Sequence, residues 1–222
     1  MAISYSVLTQ GKDTSDRSSY STASITPTAG KTVFVFVSSK VGSGNGNQAS
    51  LSGNNITWEV INSIPFGIRR LTVFKGKSSS PSTGAISISF SGQGQIGCAW
   101  GVVEFTNANY GKTPVQNVES FPNNAVSYFS VTMGAFSSSK NATMGCFFLD
   151  NTDSSVTAGS GFTKIVDQIA GSGEDFNHLV VTFKDTNDTS VDINISSQRR
   201  ANGIGYELSH TVPAGNFAQI IG

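Results

Sequence analysis

The sequence predicts an all-β protein, an antiparallel β-sandwich of jelly-roll type with an internal duplication. Three observations lead there. Short runs rich in β-branched and aromatic residues alternate apolar with polar positions, the period of a half-buried strand. Clusters of Gly, Ser, Asn and Pro punctuate them at the spacing of a sandwich. The second half also repeats the order of the first. Ile68-Arg69-Arg70-Leu71-Thr72-Val73-Phe74-Lys75 reads like Phe176-Asn177-His178-Leu179-Val180-Val181-Thr182-Phe183-Lys184, Ala85-Ile86-Ser87-Ile88-Ser89-Phe90 like Ser190-Val191-Asp192-Ile193-Asn194-Ile195, and Gly101-Val102-Val103-Glu104-Phe105 like Gly203-Ile204-Gly205-Tyr206-Glu207-Leu208. Any amphipathic strand shares such alternation. Three matches in one order, each displaced by about a hundred residues, point to one strand plan used twice.

In chain order, the alternation places strands at 3–9, 20–26, 32–39, 56–61, 68–75, 85–90 and 97–106. The second half carries them at 115–121, 126–133, 142–150, 162–169, 177–184, 190–196, 202–210 and 217–221. In the run at 85–90, Ile86, Ile88 and Phe90 face one way and Ser87 and Ser89 the other. No window carries an apolar stripe at helical spacing. Gly42-Ser43-Gly44-Asn45-Gly46-Asn47 is a loop, and Ser78-Ser79-Ser80-Pro81-Ser82-Thr83-Gly84 a turn cluster matched by Asp185-Thr186-Asn187-Asp188-Thr189. The junction at 107–114 divides the chain into repeats of about 1–110 and 111–222. Two layouts follow: one sandwich whose sheets both halves share, or two small tandem sandwiches. The junction is short for a linker between independent domains, which favours a single domain over 1–222.

Composition narrows the function. Net charge is zero, and 13% of residues are charged, against roughly 25% in an ordinary globular protein. Ser and Thr fill the difference, at roughly a quarter of the chain against a much lower average usage. Such a surface suits close packing against neighbours or neutral partners. Phosphate backbones need clustered Lys and Arg, so nucleic acid is excluded as the main partner. The N-terminus Met1-Ala2-Ile3-Ser4-Tyr5-Ser6 has no basic stretch followed by an apolar run, which argues against a secretory signal. The apolar stretch Val33 to Val37 is far too short to cross a bilayer, so no membrane partner is expected.

The chemical candidates are few, and the expectation is a protein that is not an enzyme. Cys98 and Cys146 sit within apolar runs and read as buried thiols. His178 and His210 have no nucleophile elbow beside them and read as packing residues. Glu104 and Glu207 hold equivalent strand-end positions; a carboxylate dyad for glycoside hydrolysis is one reading, a structural role the better one. Asp185, Asn187 and Asp188, and likewise Asp150, Asn151 and Asp153, offer hard oxygens that suit calcium, but these are also ordinary turn residues. No metal site and no cofactor are assigned. Arg69, Arg70, Arg199 and Arg200 form the paired basic positions and are interface candidates, since Arg is enriched at interfaces. Trp58 is the aromatic most open to stacking on a glycan, whereas Trp100 lies in an inward alternation. The chain end is apolar, and Phe217, Ile220 and Ile221 are expected to add a strand to their own sheet or to a neighbouring subunit.

Thr26-Pro27-Thr28-Ala29, Arg69 to Phe74, and Gly97-Cys98-Ala99-Trp100-Gly101-Val102-Val103-Glu104-Phe105 resemble a family of phage and prophage β-sandwich modules of virion structural proteins. Gly161-Phe162-Thr163-Lys164 and the closing run at 203–208 extend the resemblance over most of the chain. The resemblance implies a virion location and carries over no catalytic residue. With the low charge and the apolar chain end, it leads to an expected function. The chain would be a capsid decoration (cement) protein, a homo-oligomer, expected as a trimer, bound to the major capsid protein. The alternative is a tail- or fibre-associated glycan-binding module.

Overall fold

The computed structural model describes residues 2–108, 116–150, 155–171 and 177–210, with residues 116–124 described through their backbone pairing. The described residues form β-strands joined by turns, without a helix, so the protein is all-β as expected. The first half contributes β1 (Ser4–Asp13), β2 (Ser19–Ser21), β3 (Thr32–Lys40), β4 (Ser50–Ser52), β5 (Thr57–Phe66), β6 (Arg69–Lys77), β7 (Ser87–Ser89) and β8 (Gly97–Thr106). The second contributes β9 (Gln116–Thr132), β10 (Ala142–Asp150), β11 (Val156–Ala158), β12 (Thr163–Ala170), β13 (Asn177–Lys184) and β14 (Ser190–Leu208).

All pairings are antiparallel. In the first half they build a five-stranded sheet, β1-β8-β3-β6-β5, and a three-stranded sheet, β2-β7-β4. In the second they build β11-β14-β10-β13-β12, with β9 on the free side of β14. Each sheet therefore draws its strands from one half, where the sequence favoured sheets shared between halves. The physical reason is local. Each half pairs its own first and last long runs, β1 with β8 and β9 with β14, so the inner ladders of each sheet are filled from within its own half.

The two halves use matching registers. Lys40 faces Arg69 across β3 and β6, and Asp150 faces Asn177 across β10 and β13. Tyr20, Ile88 and Leu51 align across β2, β7 and β4, as Phe129, Ile193 and Ala158 align across β9, β14 and β11. A β-bulge interrupts β5 opposite Phe74 and Val73, and another interrupts β12 opposite Thr182 and Val181. Counted from Arg69 and from Asn177, the two bulges fall on the same rung. A bulge strengthens local twist and bends its strand.

Side-chain alternation then stacks the sheets. Val35, Val37, Trp100 and Val102 meet Tyr20, Ile86 and Ile88 between the five- and three-stranded sheets. On the opposite face of the same strands, Phe34, Phe36, Val103 and Phe105 meet Cys146, Phe148, Val181 and Tyr206 of the six-stranded sheet. On the outer face of that sheet, Phe147, Leu149 and Val180 meet Phe129, Val131, Val191 and Ile193. The third contact exists because β9 and β14 bend over their own sheet, at register irregularities between Asn194 and Ala201. Two apolar faces on a central sheet explain why β3 and β10 are buried along their whole lengths.

Several boundaries differ from expectation: the run at 20–26 is strand only over Ser19–Ser21, and the runs at 115–121 and 126–133 are one strand, β9. β4 and β11 are three residues each and too short to show a period. The runs at 190–196 and 202–210 are one strand, β14, so Arg199 and Arg200 lie within a strand rather than in a connection. The expected strand at 217–221 lies outside the described residues.

Candidate functional site

An open cleft of about 370 Å³ lies on the seam between the halves. One wall is the start of β1, with Ser4 and Tyr5; the other is the Gly161 turn with Thr163, and the end of β13 with Lys184 and Asp185. Ile3 and Phe183 form the buried floor, at 1% and 5% exposure. Tyr5 stands opposite Phe105 across β1 and β8, and Thr163 opposite Phe183 across β12 and β13, so all four side chains face the seam. The Tyr5 ring meets Phe183 edge-on at 5.1 Å, and Phe183 lies 5.7 Å from Phe105. Tyr5 is thus the solvent end, 37% exposed, of an aromatic row that runs into the central core. The Lys184 ammonium sits 2.7 Å from the Asp188 carboxylate and 5.4 Å from the Phe162 ring centroid. Gly161, at φ +79°, lets the chain turn here without Cβ strain. Nearby, the Asp167 N–H donates to Gln10 Oε1 at 3.2 Å and ties β12 to β1.

The paired carboxylates are brought to matching places but not together. Val103 and Phe105 face the central core, so Glu104 between them faces the other way. Tyr206 and Leu208 likewise face the central core, and Glu207 faces outward on the far side. Each carboxylate is buried and holds its own loop. Glu104 accepts the Thr28 N–H at 2.6 Å and an ion pair from Lys31 at 3.2 Å. Glu207 accepts the Ser137 N–H and hydroxyl, both at 2.8 Å, and the Asn141 amide.

Arg70 and Arg200 are struts. Arg69 is buried. Arg70 donates to the Gly46 carbonyl at 2.8 Å and to Ser63 Oγ at 2.9 Å, pinning the Gly-rich loop; burial lowers its pKa. Arg200 pairs with buried Asp150 and lies 5.7 Å from the Phe66 ring centroid, so it bridges the halves. The Arg199 guanidinium donates to the Gln198 carbonyl at 2.8 Å. Trp58 is half-buried rather than open, its ring laid on Gly76, where a Cβ would stand 2.8 Å from Trp58 Cε3. Trp100 covers Gly11 in the same way.

Cys98 and Cys146 are buried, unbridged and in different cores, and burial pushes both thiols well above their usual range. His178 is packed, its Nε2 2.6 Å from Asp167 Oδ1. Asp188, an expected calcium candidate, takes the Lys184 ammonium and the Ser190 N–H. Asn151, Asp153, Phe217, Ile220 and Ile221 lie outside the described residues.

Sequence reasoning did not find the cleft. Asp185 was legible as a loop acid, but Tyr5 and Phe183 come from opposite ends of the chain, and no local spacing links them. In comparisons with known proteins, no protein-family model, curated protein or solved structure matches the chain.

Proposed function

We propose that the chain is a phage virion structural protein, a capsid decoration protein that stabilises the head shell as a homo-oligomer, without catalytic activity. The observation that carries this reading is the use made of charge. The acidic and basic side chains that could have carried chemistry, Glu104, Glu207, Asp150, Arg70 and Arg200, are committed to holding loops and joining the halves. What is left to face partners is a low-charge, hydroxyl-rich surface. Support also comes from β5, the outer strand of the five-stranded sheet, with Val60 37% exposed. Such an edge accepts a further strand, and the apolar run at 217–221 is a donor from a neighbouring copy.

The architecture belongs to the same proposal: two jelly-roll units derived from one duplicated segment and set back to back. The matched strand orders, registers and bulge positions support it.

The test is light-scattering mass of the purified chain, alone and with assembled capsids of its source particle. A stable trimer that co-sediments with capsids is expected, and a chain cut after Pro213 should decorate more weakly. A monomer indifferent to capsids overturns the reading. The second reading, a glycan-binding tail module, keeps one favourable observation. Its expected contact, Trp58, is half-buried, but Tyr5 presents an open ring in the seam cleft.

A further inference from the structure

We propose that the seam cleft binds a neutral saccharide, with the Tyr5 ring as stacking platform and Ser4, Thr163 and Asp185 as hydroxyl partners. This goes beyond the decoration reading and does not depend on it; it gives a location and a ligand class to glycan recognition.

Size comes first. About 370 Å³ falls at the small end of the roughly 300–1,000 Å³ usual for ligand pockets, which suits one or two sugar rings rather than a long chain. A seam between packed units is also a preferred place for such pockets.

The lining is the second argument. A pyranose offers an apolar C–H face and a rim of hydroxyls. Tyr5 offers an aromatic ring, 37% exposed, over a floor that is almost wholly buried. Thr163 shares the Phe183 side of its sheet, so its hydroxyl stands beside that platform. Asp185 is exposed at the rim and supplies a carboxylate acceptor. The platform is pre-positioned. Tyr5 is braced by Phe183, and Phe183 by Phe105, so stacking on it orders little that is loose in the free protein.

Charge decides between ligand classes. Among the described residues that line the cleft, Lys184 is the cation, and its ammonium is already paired with Asp188. With Asp185 beside it, the described lining has no surplus positive charge for a phosphate or a carboxylate. A hydroxylated neutral ligand meets no such penalty.

The experiment is a titration of the isotope-labelled full chain with glucose, galactose, mannose and N-acetylglucosamine, followed by amide NMR at millimolar sugar, the affinity range of a single small site. The expected result is that at least one sugar shifts resonances confined to the cleft. Tyr5→Ala should then weaken that sugar at least tenfold, and Tyr5→Trp should retain it. Should Tyr5→Ala perturb the fold, as read by circular dichroism and melting, Asp185→Asn on the exposed rim replaces it and should cost several-fold. Cleft resonances that no sugar moves overturn the proposal. So do shifts that survive both substitutions, and so does inorganic phosphate binding the cleft in preference to every sugar.

Discussion

Glu207 shows how one residue serves the fold. Its carboxylate gathers two donors from Ser137 and one from Asn141 while itself buried at 1%. Glu207→Ala leaves those donors without their acceptor. The expected cost is about 1–3 kcal/mol, read as a lower denaturation midpoint with an unchanged slope; a midpoint equal to the parent's would mean the carboxylate does not hold the loop. Asp192 is the opposite case. Burial first, and the Asp188 charge second, raise its pKa. A raised carboxyl penalises the folded state where it is ionised, and the penalty disappears as pH falls below both its values. Asp192→Asn should therefore raise Tm at pH 7, with the gain fading toward pH 3. A gain independent of pH would point to packing instead. Asp167 carries the reverse sign: burial acts to raise its pKa, but hydrogen bonds from His178 and Lys164 outweigh it and leave the value lowered. Its contribution is complete above the unfolded value of about 3.9 and is lost as pH falls through the lower folded one.

At the scale of elements, the tryptophans cover glycines on neighbouring strands. Trp58 pairs with Gly76 across β5 and β6, and Trp100 with Gly11 across β8 and β1. Each glycine leaves the space that a flat ring needs near the margin of the sheet. Gly76→Ala should push outward both Ile56, whose Cγ2 stands nearest, and the Trp58 ring. The expected cost is about 1–3 kcal/mol, as for overpacking, together with a red shift of tryptophan emission; unchanged emission would show that the ring does not depend on the glycine. Most strands were legible in the sequence because alternation is a local property: Ile86, Ile88 and Phe90 turn inward as read. β4 was not, because Ser50-Leu51-Ser52 is too short to show a period. The bend of β14 was not, because Ser197 to Arg200 read as a polar connection, while ladder pairing with β9 makes it strand.

At the scale of the molecule, the halves meet where Gly101 of β8 approaches Val166 of β12. A Cβ on Gly101 would stand 2.5 Å from Val166 Cγ2. Gly101→Ala should destabilise the whole protein by about 1–3 kcal/mol, and Val166→Ala in the same chain should recover part of it, a coupling that a double-mutant cycle isolates. Additive losses would mean the two sheets do not press together there. Phe148 packs edge-on against Phe66 at 5.8 Å, and both belong to the core cluster that the halves share. One cooperative unfolding transition by calorimetry is expected for the described sheets; two resolved transitions would separate the halves.

The sequence by itself determined the fold class, most of the long strands of each half and the division of side chains between inner and outer faces. These follow from a two-residue period and from turn chemistry, both properties of short stretches. Tertiary structure decided the rest: that each half keeps its own sheets, that Glu104 and Glu207 face apart, that Trp58 is covered and Tyr5 open, and that a cleft forms where β1 meets β12 and β13. Those outcomes depend on which face of one sheet lies on which face of another, a relation between residues far apart in the chain that local periodicity does not encode.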